Sequence, residues 1–238
     1  MLTEANHWLE FVATAIDAAL LLRILTLKLH RTYTFITLAA TLAVFLDGVM
    51  LWLGSDSKEF ASVFIYSRFL YGFVFPAAAW DVFEEIKAQV AKLRRLAIFR
   101  LISSLILAAI FGFVITGFAS VEDENGGAAV GPTLALVIWA ASSTASLALL
   151  WSMRRAMRMQ HIELPRNTFV WLVFLQLSFA AEILACLFTI SGPLLSSPIR
   201  EVLAFVLSLY GIGITVWCVW KLRAIPSDAL STPEKVEL

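Results

Sequence analysis

The composition of this chain excludes a water-soluble globular protein. Of its 238 residues, 60% are hydrophobic and 15% are charged, whereas charged residues make up about 25% of a typical soluble domain. Eighteen basic residues balance eighteen acidic residues, so the net charge gives no reason to expect a nucleic-acid partner. Two cysteines and three histidines are too few for a disulfide framework or a zinc module. The composition therefore predicts an integral membrane protein without a metal or other cofactor.

Seven apolar segments are each long enough to cross a bilayer as a helix. A hydrocarbon core of about 30 Å requires roughly 20 apolar residues, and these segments are too uniformly apolar to be barrel strands. In chain order they cover approximately residues 8–28, 32–54, 58–82, 96–119, 131–153, 168–191 and 199–222. The predicted fold is an all-α membrane protein: a seven-transmembrane-helix bundle in residues 1–223, followed by a flexible cytoplasmic tail in residues 224–238.

The distribution of basic residues predicts the orientation of the bundle, because Lys and Arg near span ends favour the cytoplasmic side. One set of alternate loops and span ends carries fourteen of them: Lys28, Arg31, Lys87, Lys92, Arg94, Arg95, Arg100, Arg154, Arg155, Arg158, Arg166, Lys221, Arg223 and Lys235. The other set carries only Lys58 and Arg200. We therefore expect the N-terminus outside and the C-terminus in the cytoplasm. The first ten residues contain no Lys or Arg, so the first span is expected to be a retained helix.

Several kinds of membrane chemistry lack their required residues. The predicted topology resembles rhodopsin-like and receptor-like proteins in helix number and orientation alone: Lys221 lies at a span end rather than in mid-membrane, and the Asp-Arg-Tyr and Asn-Pro-x-x-Tyr motifs are absent. His7, His30 and His161 lie at span ends or in loops, which disfavours an intramembrane haem or zinc site. No nucleophile with a neighbouring base is recognisable, so an enzyme is the least favoured class.

A layer of ionisable residues lies deep inside the predicted spans. Asp17, Asp47, Arg68 and Glu182 are each seven to ten residues from the outer end of their span, which is about 10–15 Å along a helix. Each charge at mid-helix costs about 2.5–3.5 kcal/mol, so these side chains are expected to face the bundle interior. With polar neighbours at similar depth, the candidates for ligand binding, ion binding or proton coupling are Asp17, Asp47, Arg68, Tyr71, Ser178, Glu182 and Tyr210.

This layer contains more acid than base. Arg68 is expected to form a buried salt bridge, most readily with Asp47 because their spans are adjacent in the chain. Three carboxyl groups against one guanidinium leave an excess that protonation, a bound cation or water must balance. The same residues can therefore be a structural staple between helices or a binding site.

The function favoured by these observations is a sensor or accessory membrane subunit that binds a small polar or cationic ligand in the outer half of the bundle. The alternative is a proton- or cation-coupled secondary transporter or channel-like protein, in which Asp17, Asp47 or Glu182 carries the ion. A purely structural membrane subunit is a further alternative. The expected partners are the lipid bilayer and a cytoplasmic or membrane protein that contacts the basic loops. The absence of an Asn-x-Ser/Thr sequon favours a bacterial cytoplasmic (inner) membrane.

Overall fold

The structure, a computed structural model, describes residues 2–53, 58–87, 106, 130–159, 161–191 and 197–224. Apart from a short 3-10 helix at Leu29–Arg31, the elements in these residues are all α-helices. We number them α1 (Leu2–Thr26), α2 (Thr34–Leu53), α3 (Lys58–Lys87), α4 (Val130–Met159), α5 (Arg166–Ser191) and α6 (Ser197–Lys221). The helix α4 corresponds to the predicted fifth span, because the predicted fourth span, 96–119, lies outside the described residues, as does nearly all of the predicted tail.

Five of the described helices, α2 to α6, are long and apolar enough to cross a membrane, which indicates a multi-pass membrane protein. The helix α1 is not among them, and Glu10, Asp17 and Arg23 interrupt its apolar sequence. The prediction of seven spans is therefore corrected for the described residues, which contain six helices, five of them of spanning type.

Two helices continue past their predicted ends. The third span was expected to end at residue 82, but α3 reaches Lys87, and the fifth was expected to end at residue 153, but α4 reaches Met159. The added turns place Phe83, Ile86 and Met157 in the hydrophobic core, where each is nearly inaccessible to solvent. Burial of these apolar side chains favours continued helix over an early end.

The helices pack as a ring. Each contacts its neighbour in chain order, and α1 closes the ring against α6. In addition, α3 contacts α5 directly, so α3, α4 and α5 touch one another pairwise. The remaining space in the middle of the ring is surrounded by α1, α2, α3, α5 and α6.

One end of the bundle is fastened by a polar network around Tyr33, and we call it the Tyr33 end. The hydroxyl group of buried Tyr33, just before α2, donates to the Glu85 carboxylate near the end of α3. The same hydroxyl lies 3.5 Å from that of Thr168 at the start of α5. The carboxylate of Asp81 accepts a 2.9 Å hydrogen bond from the backbone N–H of Ile36, so it caps the first turn of α2 and interacts favourably with its helix dipole.

The end of α6 is fastened to the same end of the bundle. Asn167 at the start of α5 donates to the carbonyl of Arg223 at 2.8 Å and accepts from its backbone N–H at 3.1 Å. The guanidinium of Arg23 on α1 donates to the carbonyl of Leu222 at 3.1 Å. These bonds satisfy backbone groups that the end of a helix leaves without an internal partner.

The closest approach of α3 to α4 occurs at Gly72. A Cβ atom added to this glycine would lie 2.5 Å from Cγ2 of Ile138, a distance that real Cβ contacts do not reach. The following turns of α4 contain small, buried residues, among them Ser142 and Ser146. Small residues at such a crossing let two helix backbones approach closely, and Gly72 is the residue that this crossing requires.

We expect Gly72→Ala and Gly48→Ala to change stability in opposite directions. Both positions lie inside helices, where alanine is favoured over glycine by about 1 kcal/mol. A Cβ at Gly48 meets no atom within 4 Å, so Gly48→Ala should raise the melting temperature. At Gly72 the β-branched Ile138 is stiff, and overpacking costs about 1–3 kcal/mol, so Gly72→Ala should lower it. Thermal unfolding of the two detergent-solubilised variants measures the difference, and equal increases would show that α3 and α4 are not closely packed here.

Candidate functional site

A cavity of about 400 Å³ occupies the middle of the helix ring. It is lined from α1, α2, α3, α5 and α6, whereas none of the described side chains of α4 lines it. Along α1 the lining runs from Leu9 to Leu20, which is about 16 Å at the rise of an α-helix. Its volume lies within the range of about 300–1,000 Å³ typical of sites for small molecules.

Six of the seven candidate residues line this cavity, and the seventh does not. Those that line it are Asp17, Asp47, Arg68, Tyr71, Ser178 and Glu182. On α6 the lining residues are Ser208, Gly211, Ile212, Ile214 and Thr215. Most of these follow the helical spacing of one face, and Tyr210 lies off that face with 38% of its surface exposed. Depth alone selected Tyr210 in the sequence, but depth does not determine the face.

The ionic contact of Arg68 is with Glu182. Nη1 of Arg68 on α3 lies 3.6 Å from Oε2 of Glu182 on α5, and the two side chains remain 15% and 22% accessible. The expectation that Arg68 pairs with Asp47 is therefore wrong, because α3 packs against α5 as well as α2. The expectation of a fully buried salt bridge is also corrected: the pair borders the cavity, which keeps part of both side chains accessible.

Trp139 of α4 completes this ion pair from outside the cavity. Its Nε1 donates a 2.7 Å hydrogen bond to Oε2 of Glu182, and its ring centroid lies 4.7 Å from Cζ of Arg68. The rings of Phe64 and Tyr71 lie 4.3 Å and 5.3 Å from the same carbon, so three aromatic rings lie close to the guanidinium. Sequence reasoning did not select Trp139. The available signal was its mid-span position, at the depth of the charged layer, because a buried indole N–H there requires an acceptor.

Asp17 and Asp47 form a second polar group in the cavity. Their side chains are within hydrogen-bonding reach of each other, so α1 and α2 each bring a carboxyl group to the same place. The hydroxyl of Thr215 on α6 lies beside Asp17 and itself donates to the carbonyl of Gly211 at 3.1 Å. Two carboxylates this close repel each other strongly. Either they share a proton, which neutralises one of them, or a cation offsets their charge.

Aromatic rings form much of the remaining wall. Tyr71 and Phe75 have ring centroids 4.9 Å apart, and Phe75 meets Phe179 at 5.4 Å. Further towards the Tyr33 end, Trp171 and Phe174 meet at 5.7 Å, and both line the cavity. The cavity therefore combines a charged group with a long apolar and aromatic surface. Within the described residues, no group of three or more His, Cys, Asp or Glu side chains could hold a metal ion.

We expect the loss caused by Arg68→Ala to be relieved by a second change at Glu182 and not at Asp47. Removing the guanidinium leaves the Glu182 carboxylate without its counter-charge. Glu182→Gln removes that charge and keeps an oxygen for Trp139. A double-mutant cycle on thermal unfolding should therefore give a coupling of about 0.5–3 kcal/mol for Arg68 with Glu182. The control cycle pairs Arg68→Ala with Asp47→Asn, and a larger coupling there would contradict the observed pairing.

Known proteins offer no likeness on which to base a function. No protein-family model, no curated protein and no solved structure matches this chain. What the cavity can bind therefore depends on its own residues and their geometry.

Proposed function

We propose that this protein binds a small organic cation with an apolar body in its central cavity and acts as a membrane sensor or accessory subunit. The observation that carries the proposal is the contact between Asp17 and Asp47. Within the described residues, Arg68 is the one basic side chain that lines the cavity, and it is paired with Glu182. A cation is the ligand that best offsets the remaining negative charge in a poorly solvated place.

The walls of the cavity favour an organic cation over a bare metal ion. Phe75, Phe179 and Trp171 offer apolar surface and aromatic faces, and such faces attract ammonium groups by cation–π interaction. A hard cation such as Ca²⁺ needs six to eight oxygen ligands, whereas in the described residues no group of three or more His, Cys, Asp or Glu side chains could hold a metal ion, and the hydroxyl beside the carboxyl pair is that of Thr215. The volume of about 400 Å³ also accommodates a molecule larger than an ion.

We further propose that the N-terminus lies outside and that the Tyr33 end of the bundle lies in the cytoplasm of a bacterial cell. This orientation is supported by the basic residues, since Arg23, Arg154, Arg166 and Arg223 lie at or near the Tyr33 end. The charged layer then lies in the outer half of the bundle. A ligand would reach it from outside, past Glu10 and Leu9.

A topology assay tests the orientation. After residue 238, a reporter that works only in the cytoplasm should be active, because basic residues keep their loops on the cytoplasmic side. In the acidic segment 122–125, a reporter that works only outside the cytoplasm should be active. Alkaline phosphatase and green fluorescent protein fusions at both sites provide reciprocal readouts. Finding both sites on one side of the membrane would contradict the odd number of spans between them, which are α4, α5 and α6.

Benzyltrimethylammonium is a suitable probe for the cavity, because neopentylbenzene has the same shape without the charge. We expect the cation, but not its neutral analogue, to raise the melting temperature of the purified protein, since binding to the folded state stabilises it. Asp17→Asn and Asp47→Asn should each weaken binding at least about tenfold, the equivalent of about 1.4 kcal/mol. Tyr210→Phe is the matched control at the same depth but outside the cavity, and it should bind normally.

Two results of this titration would contradict the proposal. Equal stabilisation by neopentylbenzene would mean that the cavity recognises shape alone. Unchanged affinity in both aspartate variants would mean that the probe binds elsewhere, which leaves the structural-subunit alternative.

The contact between Asp17 and Asp47 also favours the second candidate, cation-coupled or proton-coupled transport. A carboxyl pair that holds one proton releases it when a cation takes its place. Proton release during the same titration, together with uptake of the cation into proteoliposomes driven by a proton gradient, would favour a transporter. Proton release without uptake would favour a sensor.

A further inference from the structure

A second cavity, of about 470 Å³, lies at the end of α4. Its lining residues are Trp151, Arg154, Arg155, Arg158 and Met159, and none of them belongs to the central cavity. Residues 151, 154, 155 and 158 follow the helical spacing i, i+3, i+4 and i+7, so they share one face of the helix. We call these five residues the arginine groove.

Three arginines in one groove repel one another, which destabilises the helix unless an anion is bound. Within the described part of the chain, no carboxylate forms a salt bridge with any of the three; the ion pair there joins Arg68 and Glu182. Arg154 is held in place because it donates to Oε1 of Gln176 at 3.0 Å. Arg155 and Arg158 are both exposed at the surface beside it, so their guanidinium donors are available to a ligand.

The location of the arginine groove identifies the kind of anion. The spanning segment of α4, Ala135–Met159, ends at this groove, so the arginines lie at the level of lipid head groups. Trp151 and Met159 are 65% and 73% exposed beside them. An exposed indole and thioether next to arginines match a lipid, whose phosphate pairs with guanidinium groups while its glycerol and acyl region contacts apolar side chains.

We propose that the arginine groove binds the head-group phosphate of an anionic phospholipid. Arg155 and Arg158 form bidentate hydrogen bonds to the phosphate oxygens, Arg154 supplies a fixed positive charge, and Trp151 packs against the lipid. This site is independent of the central cavity. In the orientation proposed above, the lipid belongs to the cytoplasmic leaflet.

Native mass spectrometry of the protein released from mixed phosphatidylglycerol and phosphatidylcholine micelles tests this site. We expect phosphatidylglycerol to be retained preferentially by the wild type. Arg155→Gln combined with Arg158→Gln should reduce its retention at least about fivefold. The control, Arg31→Gln combined with Arg223→Gln, removes the same charge from exposed arginines near the same end and should retain the lipid as the wild type does.

Three outcomes would overturn the proposal. They are equal retention of the two lipids by the wild type, an equal loss in the control, and displacement of phosphatidylglycerol by equimolar inorganic phosphate, which would make the groove a site for free phosphate. Trp151→Ala gives a second readout, because it should lower lipid retention without removing charge. A melting temperature no lower than that of the wild type, together with unchanged benzyltrimethylammonium binding, would show that the fold of the Arg155 and Arg158 variant is intact.

Discussion

The contact between Arg68 and Glu182 places opposite charges of α3 and α5 at 3.6 Å, and Trp139 of α4 donates to the same carboxylate. A charge inside a bundle is costly unless it is paired and hydrogen-bonded. Glu182 meets this requirement through the guanidinium and the indole together. The guanidinium also lies against the Trp139 ring, whereas Nε of Arg68 is buried with no hydrogen-bond partner among the described residues. The mutual packing of α3, α4 and α5 depends on this contact, because none of these helices can separate without leaving a charge or an N–H group without a partner.

The pairing of Arg68 also determines the character of the central cavity. Glu182 takes the ionic contact of the guanidinium, and Asp17 and Asp47 lie within hydrogen-bonding reach of each other, with the positive charge of Arg68 still acting on Asp47. The helices that carry them, α1 and α2, are joined at the Tyr33 end through the short 3-10 helix, and the bonds of Tyr33 and Asp81 fasten the start of α2 to α3. The bundle thus has its polar network at one end and its acidic pair deeper in the ring, on the wall of the central cavity.

Sequence patterns predicted the helical class and most helix positions, because apolar length is a property of the segment itself. They also grouped Asp17, Asp47, Arg68 and Glu182 at one level of the helices, since helical rise converts residue number into distance along a helix, and all four line the same cavity. They could not select the partner of Arg68, because chain order favours α2 while the ring also brings α5 to α3. The Tyr33 network was missed for a related reason: Asp81 and Glu85 lie near a span end, where acidic residues ordinarily contact water.

The close crossing at Gly72 has a mechanical consequence. With Ile138 against the backbone of Gly72 and Trp139 on the neighbouring ion pair, α3 and α4 move as one body. The opposite wall of the cavity is provided by α1 and α6. There, Gly211 lines the cavity and has open space where a side chain would be. The cavity therefore reaches the α6 backbone at this glycine, and any larger residue there would take up room that an occupant otherwise has.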